Sequence, residues 1–514
     1  MARTPLAQRV EEAYAGVVES RTTRRELLKR TTAAGVAVAG AGTMGRFAKA
    51  AYGASLPRVA VVGAGLAGLT CAYRLKQAGL SAEVYEASTR IGGRCWTIDQ
   101  EFAPLIAEHG GEFIDQSHTH IRQLAQELGF NLDNLLRAQP RGTEDFYWVN
   151  GGKYEYSKLV EDLNGIYQKL HKDVSAASYP TLWNLSTPRG RELDNMSIIE
   201  WLDETVPNGG SKSNLGRVLD IAYNIEYGAE CSEQSSLNLL YLLGYIGQGQ
   251  FRVFGPSNEK YHVRGGNELI PRRLGEALAG QISLGTALAS IKMNSGGSFT
   301  LTFMKDMGTL TVTVDHVVLA LPFSLLRSVN YSKAGFEPLK VTAIKELPMG
   351  TNSKLHVEFK DRFWYGHGNN GNSYSETGYQ SAWEVSRAQG GVKGLLVDYT
   401  GGKIGASFGS GTPQARALQF ISQLQPLYPG TDVTGKWTGN ATLDFWTAYP
   451  WTKGSYSYWK VGQYTKFSGM EKERQGNCHF AGEHTSQDFQ GYLNGAVETG
   501  GRAAAEILGD LKHA

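Results

Sequence analysis

The pattern of apolar and polar positions is sharpest near residue 58. Arg58 opens the run VAVV, which ends at Val62. So short a β-branched run bounded by glycine predicts a buried strand. GAGLAG follows, and then apolar positions recur at helical spacing through LTCAYRLKQ. The pattern predicts a helix from about Ala67 to Gln77, ended by Gly79. A second apolar run, Ala82 to Tyr85, predicts the next strand. Further along, YSKLVEDLNGIYQKLHKDV has helical periodicity, whereas SKLHVEF and GLLVDYT read as strands. GHGNNG, Gly366 to Gly371, reads as a loop between strands. No internal repeat is evident. A short strand feeding a helix and returning to a strand is the signature of an α/β fold.

The turn between the first strand and helix carries chemistry. Gly63, Gly65 and Gly68 form GxGxxG. The first permits the tight turn, the second admits a pyrophosphate to the backbone, and the third lets helix and strand pack closely. The helix N-terminus offers free N–H groups to phosphates. Glu86 stands 18 residues past Gly68, close to the spacing expected of an acceptor for ribose hydroxyls. RIGGR, Arg90 to Arg94, follows almost at once, and a nicotinamide dinucleotide has no need of it.

Composition narrows the class. At 514 residues, two or more domains are expected. A net charge of +2 gives no hint of nucleic acid or an anionic membrane as partner. Cys71, Cys95, Cys231 and Cys478 have no metal-ligand spacing, so no metal site is expected and no disulfide can be assigned. The first 54 residues differ from the rest. Arg24 and Arg25, then Leu27, Leu28 and Lys29, precede an Ala/Gly-rich stretch and Ala48-Lys49-Ala50. That is the layout of a twin-arginine export signal, which would engage the twin-arginine export machinery and make the protein periplasmic or extracellular. The alternative is a cytosolic arm with a chance Arg pair. The stretch is too short and Gly-rich for a stable membrane span.

The tail, CHFAGEHTSQDFQGYLNGAVETGGRAAAEIL, closely resembles the closing motif of the flavin amine oxidases, which include monoamine, polyamine and L-amino-acid oxidases. YHVRGGNELIPRRLGEAL, DHVVLALPFSLL, LPMGTNSKLHVEF and WTAYPWTKGSYSYW resemble further family blocks, in the right order. The resemblance implies FAD as cofactor, with Arg94 and the backbone beside it reaching the phosphates. It places Gly482 and Glu483 along the ribityl and phosphate groups, and the helix from near Leu493 at the flavin pyrimidine edge. Some relatives attach the flavin to a cysteine shortly before the position of Gly454; this segment has none, so non-covalent binding is expected.

The same resemblance implies an FAD-binding Rossmann-like domain of the GR2 type, with an interleaved α+β substrate domain. The FAD domain is expected to collect residues 55–110, 255–325 and 465–514. The substrate domain is expected to hold a helical part, 111–254, and a sheet part, 326–464.

The implied reaction oxidises a C–N bond of an amine or L-amino acid to an imine, which water hydrolyses to carbonyl and ammonia while O2 becomes H2O2. By position, Tyr492 matches one wall of an aromatic cage, Trp446 is the candidate for the opposite wall, and Lys354 matches a lysine that holds a water near the flavin. Tyr449 and Trp451 are neighbouring candidates. An α-amino acid would need a cation for its carboxylate. Where relatives carry that arginine this chain has Phe113, and Arg122, Arg252 or Arg264 would have to substitute. Glu112, Glu226 and Glu230 instead favour a substrate with a second cationic group. An exported dehydrogenase passing electrons to a quinone or protein, a C–C desaturase, and a redox-inert flavoprotein are the alternatives.

Overall fold

The computed structural model describes residues 56–249, 251–306 and 308–513. The twin-arginine reading of residues 1–54 lies outside them. The first strand, Val59–Val62, is central in a five-stranded parallel sheet. Ala82–Tyr85 and then Ile282–Ser283 lie on one side, and His316–Leu319 and then Cys478–Phe480 on the other. All four residues of the first strand are buried. A parallel strand covered on both faces has no solvent side, which is why the run is apolar without alternation. Val62 is in register with both Tyr85 and Leu319, so Gly63, Glu86 and Ala320 leave the sheet at the same edge. Ligands of such sheets bind at that carboxyl edge.

Helix Leu66–Gln77 starts one residue before the expected Ala67, with Gly65 as its N-cap. It packs along the C-terminal helix, Leu493–His513. The approach is close: a Cβ on Gly500 would lie 2.3 Å from the Ala67 carbonyl oxygen. All four cysteines are free and buried.

A seven-stranded sheet forms the second layer, in the order Trp437–Phe445, Ser353–Phe359, Gly394–Thr400, Ser381–Glu384, Asn369–Ser375, Glu144–Val149, Gly152–Lys153. Strand Ser353–Phe359 is buried on both faces, yet its sequence alternates. Leu355, Val357 and Phe359 pack into a core with Ala417, Phe420 and Ile421 of helix Pro413–Leu424. The period of two turns Lys354 to the opposite face. GHGNNG is not wholly loop: Asn369–Gly371 begins a strand that pairs with Glu144–Val149, and Asn369 Nδ2 donates to the Glu144 carbonyl across the pair.

The stretch 111–254 is helical in its second half, where Tyr156–Ala177, Ile198–Thr205, Asn214–Tyr227 and Ser236–Leu243 pack together. Its first part behaves otherwise. Helix Thr119–Glu127 sends Ile121, Leu124 and Ala125 into the core of the nucleotide sheet, and Glu144–Val149 joins the seven-stranded sheet. Helical period alone does not say which core receives an apolar face. A separate four-stranded sheet contains Thr286–Met293, Phe299–Lys305, Gly308–Val314 and Asn330–Lys333. Among the described residues no helix is long and apolar enough to cross a membrane.

Candidate active site

One cavity runs from the carboxyl edge of the parallel sheet to the seven-stranded sheet. Gly63, Gly65, Glu86, Arg94, Gly482 and Glu483 line one end; Lys354, Trp383, Tyr456 and Tyr492 line the other. The three glycines differ in what they do. Gly63 has φ of +105°, and a Cβ there would meet the Ala320 carbonyl at 2.7 Å. A Cβ on Gly68 would lie 1.9 Å from the Gly63 oxygen, so Gly68 sets the helix–strand contact and does not line the cavity. A Cβ on Gly65 would meet nothing within 4 Å. That open space is the cradle expected of the second glycine.

Glu86 is held in place by the backbone N–H groups of Ala64 at 2.7 Å and Ser88 at 2.8 Å. Its carboxylate is presented beside the glycine turn, where a ribose would meet it. In RIGGR, the Gly92 N–H donates to the Ala64 carbonyl at 2.8 Å and ties the second Gly pair to the first turn. Arg90 lies over the Trp96 ring at 3.9 Å. Arg94 donates to the Ser455 carbonyl at 2.7 Å and to Glu483 at 2.8 Å. Glu483 also accepts from the Ser457 hydroxyl and the Gly491 N–H. Burial works to raise its carboxyl, but Arg94 and these hydrogen bonds outweigh it and leave the group below its ordinary range.

The cavity has the polar character of a ligand site. Gln490 is 3% exposed and lines it, yet among the described residues neither its amide oxygen nor its amide nitrogen has a partner. The Thr452 hydroxyl, also lining, is likewise unpartnered. A buried amide without partners costs free energy, and a polar ligand removes that cost. The open Gly65 cradle, the Glu86 acceptor and the orphaned Gln490 amide together fit FAD.

At the far end, two tyrosines hang from consecutive residues of helix Asn214–Tyr227. The Tyr456 hydroxyl donates to the Ile225 carbonyl at 3.0 Å, and the Tyr492 hydroxyl donates to Glu226 at 2.6 Å. Burial, together with Tyr399 for Tyr456 and Glu226 for Tyr492, pushes both phenols well above their usual range, so both stay protonated donors. Trp446, the sequence's candidate for the opposite wall, also lines the cavity. Its indole N–H is committed to the His109 carbonyl at 2.9 Å, and its ring packs on Tyr449 and beside Gly110. Tyr456 was missed although it lies in the same sequence block, just after Gly454. The turn that delivers it is fixed by long-range bonds to Gly350, which local pattern does not reveal. Trp451 and Tyr449 line the cavity as well.

Lys354 is buried. It donates to the Glu108 carbonyl at 2.9 Å, the Gly110 carbonyl at 3.1 Å and Glu112 at 2.8 Å. These engage all three N–H groups of the ammonium, so holding a water would require one bond to be exchanged. Glu112 receives the Trp383 indole N–H at 3.1 Å besides Lys354. It is therefore neutralised by protein and is not an open anion for a substrate. Glu230 does not line the cavity; it accepts the Lys403 N–H at 2.8 Å, because the helix ends at Gly228 and the chain turns away. Glu226 does line it. So does Glu259, which the sequence reading passed over although it stands two residues before the YHVRGG block. Phe113 packs against Trp383, and Arg122, Arg252 and Arg264 do not line the cavity.

The model of the family described as flavin containing amine oxidoreductase matches residues 66–508. A flavin-containing amine oxidase of Oncorhynchus mykiss is 23% identical over 477 residues, covering 88% of this chain and 86% of that protein. A putative L-amino-acid oxidase of Bacillus subtilis is 26% identical over 467 residues, covering 87% and 94%. The cyclohexylamine oxidase structure from Brevibacterium oxydans superposes with a TM-score of 0.76 at 23% identity, covering 89% of this chain and all of that one. A match across so much of the chain, on a cavity that fits a flavin dinucleotide, settles the question of family: the chain belongs to the flavin containing amine oxidoreductases, and its cofactor is FAD.

Proposed function

We propose that the site oxidises the C–N bond of a primary amine, in preference to an α-amino acid, and favours amines with a second cationic group. The charge arrangement of the cavity carries this reading. Among the described residues the basic side chains that line it are Arg94 and Lys354, and each is paired with a carboxylate, Glu483 and Glu112 respectively. A substrate carboxylate would find no free cation there. The aromatic walls, and Glu226 beyond them, suit a cation.

When bound, FAD supplies the acceptor of a hydride equivalent from the carbon bearing nitrogen, and O2 reoxidises it with release of H2O2. The chain's residues supply the setting. Tyr456 and Tyr492 form the slot for the neutral amine, their hydroxyls pinned so that the rings cannot turn. Glu226 fixes Tyr492. Lys354 and Glu112 tie the seven-stranded sheet to the segment from Glu108 to Glu112 and hold the slot at a fixed distance from the cofactor end. The burial of Trp446 and Phe489 keeps bulk water from the reacting carbon. Export through a twin-arginine signal, in which the folded protein would carry FAD with it, remains part of the proposal and rests on residues 24–50.

An anaerobic flavin-reduction screen tests the reading. Amines should bleach the flavin fast and neutral L-amino acids slowly; the reverse order would overturn it. Peroxide release in air would then separate an oxidase from a dehydrogenase. Tyr456→Leu should slow reduction by roughly tenfold or more through loss of one wall, whereas Trp446→Phe should matter less and act chiefly on FAD retention. Stopped-flow reduction of both variants distinguishes the two walls, and a larger effect at Trp446 would reject the Tyr456 assignment.

A further inference from the structure

The carboxylates of the cavity do not share one duty. Glu86 is held by backbone N–H groups, Glu483 by Arg94, and Glu112 by Lys354 and Trp383. Glu226 accepts the Tyr492 hydroxyl. Glu259 lines the same cavity, and among the described residues its carboxylate has no hydrogen-bond or ion-pair partner. The groups that act on it are all of one kind. Burial, Asp115, Glu226, Asp145 and Glu112 each push its carboxyl upward, to well above the usual range. All four of those neighbours are already engaged, for besides Glu226 and Glu112, Asp145 takes Tyr147 and Asn370, and Asp115 takes Ser257.

The position of Glu259 is a built one. Asp115 accepts from the Ser257 hydroxyl at 2.8 Å, the Asn258 N–H at 3.0 Å and the Glu259 N–H at 2.7 Å. In that turn Glu259 takes φ of +46°, a left-handed backbone that a residue with a side chain adopts only when its surroundings impose it. The same cavity wall carries Tyr374 and Tyr399, and both phenols feel the charge of Glu259. Tyr456, Tyr492, Tyr374, Tyr399 and the Glu259 carboxyl thus line one cavity. A carboxylate so placed gains most from a cation that brings its own hydrogen bonds into a region screened from water.

We infer that Glu259 recognises a second ammonium group on the substrate, so that the site selects α,ω-diamines, or amines with a cationic tail, over monoamines. The inference rests on the amine reading above and assigns one residue to its selectivity. Asp115 is a positioning residue for Glu259.

The test uses FAD-loaded wild type and Glu259→Gln, which keeps the side chain's size, with a series of α,ω-diaminoalkanes and the n-alkylamines of matching length. The second-order constant for anaerobic flavin reduction by the diamine should fall by about tenfold or more in the variant, through binding rather than the saturating rate. That for the monoamine should change by less than about twofold. Glu259→Asp should recover part of the diamine preference. Equal loss for both classes, or a wild type that prefers the monoamine, overturns the assignment. Bleaching by L-amino acids and by no amine instead defeats the amine reading itself. A measurement independent of the variants is competition by non-oxidisable cations. Wild type should bind an α,ω-diguanidinoalkane about tenfold more tightly than the matching alkylguanidine, and equal binding overturns the inference.

Discussion

A Gly65→Ala protein should be recovered folded and colourless. The added methyl meets no protein atom within 4 Å, and the N-cap backbone, with φ of −74°, suits alanine. The methyl instead occupies the space that the second glycine leaves for the pyrophosphate. Overpacking of this kind costs about 1–3 kcal/mol, which is roughly a ten- to hundredfold loss in FAD affinity. Gly68→Ala should behave differently. Its methyl would sit 1.9 Å from the Gly63 carbonyl oxygen and 3.1 Å from Val61 Cγ1, so strand and helix must part. That protein should be poorly soluble even with FAD in excess. Flavin titration of refolded Gly65→Ala, beside thermal unfolding of both apoproteins, decides the matter. A Gly65→Ala variant that keeps its yellow colour through dialysis would show that the cradle is elsewhere.

Lys354→Met should cost about 3–5 kcal/mol of stability, because Glu112 would remain buried without its counter-ion. Adding Glu112→Gln should restore most of it, since a neutral amide needs no cation. Denaturant unfolding of the FAD-loaded proteins measures both steps, and a single variant that loses under about 1 kcal/mol would show the pair to be dispensable. Flavin reduction gives the second readout. If the lysine acts on the reaction itself, reduction or reoxidation stays slow in the stable double variant; full recovery would confine Lys354 to neutralising Glu112.

The comparison between these two sites shows where sequence reading succeeds. The glycine turn was legible residue by residue because every element of it lies within one strand–turn–helix unit. The strand, the N-terminus of the helix and Glu86 follow from spacing, and the structure departs from them by a single residue at the helix start. The aromatic slot was half legible. Tyr492 stands in a motif, whereas Tyr456 was not singled out, and the two are pinned by helix Asn214–Tyr227 far away in sequence. The acidic residues were read least well. Glu112, Glu226 and Glu230 look equivalent along the chain. In the fold one is paired with a lysine 242 positions away, one holds a tyrosine 266 positions away, and one accepts a backbone N–H 173 positions away, outside the cavity.

The sequence by itself determined the elements whose cause is local: the parallel strands, the dinucleotide turn, the helix that follows it, and the family blocks that name the cofactor. Steric limits on φ and the period of apolar residues act between neighbours, so a short window contains them. Only the tertiary structure decided which charges are spent. Neutralisation depends on what stands within a few ångströms in space. Lys354 meets Glu112, and Glu259 lies in the field of Asp115, Glu226, Asp145 and Glu112, because separate segments converge on one cavity.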